Sequence, residues 1–195
     1  MSTNKVLNEI NSLVDKIYEK FLLRDVFAKI VPGFILLTTI VFSITHDLTK
    51  TQNLLQFSWL IVIGFSWILG FGVQGIGELT SLIRYYTKDY ETDKKWYIAY
   101  NKFNSNASSE EKSNCERLVV IKEATGNMAI AFLLSIIIVN ISFAITDSPH
   151  FKSSISIFGT IIIFTISLIL LRMHRVHSRR QCHYVEVVND QVQGQ

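Results

Sequence analysis

The sequence predicts an all-α fold: a four-helix transmembrane bundle with an N-terminal amphipathic helix and a cytoplasmic helical hairpin between crossings 2 and 3. Three observations lead there. Apolar residues make up 49% of the 195-residue chain and gather in four blocks, 31–45, 54–76, 128–145 and 155–171, nearly free of charge. A helix needs about 20 residues to cross bilayer hydrocarbon, so the second block spans outright and the shorter ones borrow flanking residues. The runs Leu133 to Val139 and Ile161 to Phe164 are apolar all the way round. Helices of a soluble bundle would be apolar on one stripe only. Lys and Arg supply the third observation: seventeen of nineteen lie in the N-terminal arm, the central loop or the tail, leaving Lys50 and Lys152 in the two short connections. By the positive-inside rule both termini and the central loop are cytoplasmic, as expected of a multi-pass membrane protein with an even number of crossings.

Taken in order, residues 1–25 form an interfacial helix. Val6, Leu7, Ile10, Leu13, Val14, Ile17, Tyr18, Phe21 and Leu22 recur at helical spacing opposite Glu9, Asp15, Lys16, Glu19 and Lys20. Such a helix lies in the headgroup plane, or joins subunits through a short heptad seam. The first transmembrane hairpin, 26–78, opens at Lys29-Ile-Val-Pro-Gly-Phe34, where Pro32 suits a first helical turn and a corner into the membrane is expected near Val31. His46 to Asn53 reads as a short outer loop. The cytoplasmic hairpin, 79–126, carries seven aromatics (Tyr85, Tyr86, Tyr90, Trp96, Tyr97, Tyr100 and Phe103) and a turn signal at Asn104-Ser-Asn-Ala-Ser108. Ser108 and Glu111 fit a capping box. Seven acidic residues there nearly cancel eight basic ones, so no direct nucleic acid is expected. The second transmembrane hairpin is 127–172 and a basic cytoplasmic tail is 173–195.

Small residues mark how the helices meet. On the second crossing Ser66, Gly70, Gly77 and Ser81 share one stripe, the arrangement by which helices approach closely in lipid. The G-x-G-x-x-G string from Gly70 to Gly75 lies inside an apolar span, so it is not a dinucleotide fingerprint. Polar residues fall at two depths. Thr39, Asn140 and Thr160 lie roughly 8 Å from the outer boundary, at 1.5 Å of rise per residue, and are expected to share one layer. Gln74, Glu78, Asn127 and Arg172 gather near the cytoplasmic boundary, as structural glue or as the mouth of a hydrated path through a homo-oligomer, with Glu78 a ring charge.

In the tail, Arg175, Arg179 and Arg180 read as a lipid anchor on anionic headgroups. Arg172 and His177 fit the R-x4-6-H spacing of HEPN ribonucleases, and His174 with His177 the spacing of two metal ligands. Chance produces both patterns in a segment this rich in Arg and His, so no catalytic residue, metal or cofactor is expected. Cys115 and Cys182 carry no partner spacing and face a reducing compartment.

The Lys29 to Phe34 opening, the glycine-rich Gly70 to Glu78 exit and the run Glu116 to Asn127 together resemble small four-crossing membrane accessory proteins of bacterial antiviral defence loci, in particular those encoded beside type VI CRISPR ribonucleases. The resemblance implies a non-enzymatic membrane effector acting with a cytoplasmic RNA-guided or nucleotide-sensing defence protein. A membrane-tethered HEPN-like ribonuclease and a scaffold recruiting a soluble partner are the alternatives.

Overall fold

The computed structural model describes residues 24–56, 59–83, 93–146 and 154–193. The amphipathic segment 4–23, Tyr85, Tyr86 and Tyr90, and the outer connection 147–150 lie outside them. The described elements are all helical: a π turn (Val26–Ile30), α1 (Val31–Thr45), α2 (Leu48–Gln56), α3 (Trp59–Leu79), α4 (Asp93–Asn106), α5 (Ser109–Ile145) and α6 (Ser154–Gln193). Four helical stretches are long and apolar enough to cross a membrane, and each contains most of one of the four apolar blocks.

The first crossing does not turn a corner at Val31. Ile30 and Val31 both hold right-handed helical angles, so the helix runs through from Arg24 to Thr45. What Pro32 changes is the pitch: its ring crowds the carbonyl four residues back, and the preceding turn is opened into π-helix instead of broken. At the far end His46 adopts a left-handed φ of 50° and stops α1, its ring stacked on Phe143. The expected outer loop is the short helix α2, because the Asp47 carboxylate accepts from the free N–H groups of Thr49 (2.8 Å) and Lys50 (3.2 Å).

α5 is the hub, packing against α1, α3 and α6. Arg24 meets Glu123, Ala28 meets Asn127 and Ser43 meets Ser142, each pair separated by 99 residues, so α1 and α5 run parallel in one register. Against α6 the direction reverses: Gly126 faces His174 while Lys122, one turn lower, faces Gln181. Residues 173–193, expected as a separate tail, continue α6 without a break. Its inner face, Ser167, Leu171, His174, Ser178, Gln181, Val185 and Val188, is buried at alternating three- and four-residue spacing. That is the seam of a two-helix coil, and it passes from the apolar block into the polar half of the helix unchanged.

α4 closes the basic end. Trp96, Tyr100 and Phe103 form a ladder of rings 5.4 and 6.1 Å apart, and Phe103 meets Tyr184 of α6 edge-on at 6.2 Å. The Asn189 amide donates to the Ala99 carbonyl at 2.9 Å. These aromatics therefore pack on α6 as part of a three-helix cluster with Cys115, Cys182, Val185 and Val188. The Ser108 capping box is formed, with the Ser108 hydroxyl accepting from the Glu111 N–H and the Glu111 carboxylate accepting from the Ser108 N–H.

Candidate functional site

The residues with most to say about function meet where the apolar spans give way to the three-helix cluster. Two glycines set the geometry. A Cβ on Gly33 would lie 1.7 Å from the Ser66 carbonyl oxygen, and one on Gly70 would lie 2.2 Å from that of Lys29. α1 and α3 thus touch backbone to backbone, as small residues permit in lipid. Ser66, Gly70, Val73 and Gly77 are the buried residues of α3. Ser81 does not join them: α3 ends at Leu79, and Ser81, at φ 56°, turns away exposed. Its place over Gly77 is taken by Ile83, whose side chain also fills the space beside Gly126.

Beside this contact stands a buried polar junction. Pro32 has no N–H to give the Ala28 carbonyl; the Asn127 amide gives one instead. One turn away Arg24 grips Glu123 with both arms of its guanidinium, Nε to Oε2 at 2.9 Å and Nη2 to Oε1 at 2.6 Å. The hydrogen bonds it donates to Glu123 hold the Arg24 pKa above its ordinary value, against the opposing cost of burial. On the other side of α5, Lys122 Nζ donates to Gln181 Oε1 at 2.7 Å. His174 Nδ1 lies 2.9 Å from the Lys122 carbonyl, which can only accept, so Nδ1 carries the proton. The ring reaches that carbonyl because Gly126 has no side chain; a Cβ there would stand 2.8 Å from Nδ1. Lys122 and Glu123 are 3% and 5% exposed, so these charges are held inside the protein by named partners.

The inner polar set divides. Asn127 belongs to the junction, whereas Gln74 donates to Glu78 at 2.9 Å on the flank of α3 and Arg172 is exposed on α6. The outer set makes these contacts. Thr39 bonds Ser135 at 2.9 Å and Asn140 turns back to the Ile136 carbonyl of its own helix, while Thr160 sits half-buried on α6. Cross-helix bonds near that level include Thr39 to Ser135 and Ser142 to the Ser43 carbonyl.

Arg175, Arg179 and Arg180 are exposed on the outer side of α6. Arg172 and His177, five residues apart on one helix, point about 140° from each other and do not converge on a substrate. Among the described residues no cluster of three His, Cys, Asp or Glu gathers to hold a metal. The junction ties Arg24, α1, α5 and α6 into one unit. Glu123, Lys122, Gln181, Gly33 and Ile83 escape a reading of the sequence. Pro32 did leave a signal, because a carbonyl deprived of its donor needs another.

No protein-family model, curated protein or solved structure matches the chain.

Proposed function

We propose that the protein is a non-enzymatic membrane effector or accessory that works as a homo-oligomer forming or gating a membrane opening, with both termini and the α4–α5–α6 cluster on the cytoplasmic side. The observation that carries this reading is the Gln74 and Glu78 pair. It lies on a spanning helix, bonded internally, with Glu78 exposed. A carboxylate and an amide on a span are costly against acyl chains and call for water or protein. α3 spends its small-residue face on α1. Gly64, Gly72 and Gly75 lie on the opposite face, where a Cβ added to any of them would meet nothing within 4 Å. A second copy seated there brings Glu78 towards a shared axis.

The cluster at the basic end is the input. α5 and α6 connect it to the spans without a break, and Tyr97 and Ile98 stand 63% and 60% exposed on α4, a surface for a soluble protein partner. The resemblance to membrane accessories of antiviral loci makes a cytoplasmic RNA-guided or nucleotide-sensing protein the first partner to try. The test uses oxidised membranes carrying Gly72→Cys, followed by dye release from proteoliposomes. A disulfide-linked dimer, and release that Glu78→Ala abolishes while the protein still inserts, are expected. A chain that stays monomeric under oxidation sinks the reading.

A further inference from the structure

The π turn holds one more residue per turn than the α-helix on either side of it would, and such a turn can be exchanged for α-helix only by shifting register. Four contacts keep the exchange from happening. Asn127 caps the Ala28 carbonyl, Glu123 holds Arg24, the Lys29 backbone lies in the space left by Gly70, and Lys29 Nζ sits 4.0 Å above the Phe71 ring. Two of the four come from one turn of α5. On the outer side of the turn Phe27 is half exposed.

We infer that Val26–Ile30 is a one-residue register device, latched by Asn127 and Glu123, through which the position of Arg24 and Asp25 is coupled to the membrane bundle. Converting the turn to α-helix rotates Arg24 and Asp25 by about 100° and advances them by about 1.5 Å relative to α1. Arg24 then leaves Glu123, while α1 keeps its place on Gly70 and α5. Pro32 supplies the other half of the device. It denies the Ala28 carbonyl its usual donor in the α form, so the side chain that satisfies this carbonyl decides which form is stable. Nothing in this helix geometry depends on what the bundle transmits.

Spin labels at Asp25→Cys and Ile121→Cys, in a Cys115→Ala, Cys182→Ala background in nanodiscs, read the rotation as a distance. The parent should give one distance. Asn127→Leu with Glu123→Gln should add a second population displaced by about 5 Å or more, the chord of a 100° turn at side-chain radius. Deleting Phe27 in that double variant removes the extra residue and should restore the single parental distance. A control pair at Ile121→Cys and Val176→Cys should stay fixed throughout, reporting an intact α5 and α6. The inference is overturned if the double variant keeps the parental distance, or if its second population survives deletion of Phe27, since plain fraying would not be cured by shortening the chain.

Discussion

Gly33 and Gly70 bring the backbones of α1 and α3 into contact, whereas α5 and α6 meet through side chains, Gly126 yielding its place to the His174 ring. The first contact lies between apolar blocks, where solvent is hydrocarbon and burying a leucine gains nothing. Close approach and dispersion are what remain. The second contact begins in the same surroundings and leaves them. There the seam changes from Ser167 and Leu171 to His174, Gln181 and Val185, mixing paired polar groups with apolar ones. Shape holds the helices together in one medium; in the other, burial and matched hydrogen bonds do.

The contrast can be broken most severely at Gly70. A leucine there has to displace the Lys29 backbone and not a mobile side chain, so Gly70→Leu should cost more than about 4 kcal/mol, read as early unfolding in detergent titration. Phe103→Ala probes the other contact. This ring is fully buried in the three-helix cluster, and its loss should cost about 3 kcal/mol, with fast amide exchange confined to α4 and residues 109–122 and 178–193. An equal loss of protection in α1 and α3 would mean that the two contacts are not separate. The smallest effect sharpens the comparison within one helix: Gly72 is two residues from Gly70 and meets nothing, so Gly72→Ala should leave stability unchanged or raise it by up to about 1 kcal/mol.

The four spans were legible because lipid asks one simple thing of a sequence, and an uncharged block of the right length answers it. The capping box was legible because Ser108 and Glu111 act on residues three positions away. Gly70 and Gly77 could be read as contact residues from their stripe, but Ser81 could not be told from them, since periodicity does not say where a helix stops. The continuation of α6 through 173–193 was hidden for a different reason. Its buried face holds His174, Ser178 and Gln181, which look like solvent-facing residues until Lys122 and the Lys122 carbonyl are placed opposite them. Arg24 with Glu123 is the same case: two charges 99 positions apart carry no local mark of their pairing.

α5 and α6 contain 37 and 40 residues, about 55 and 60 Å of helix against about 30 Å of hydrocarbon. The surplus is a stiff strut, not a tether. The distance between the three-helix cluster and the apolar spans is therefore fixed by helix length.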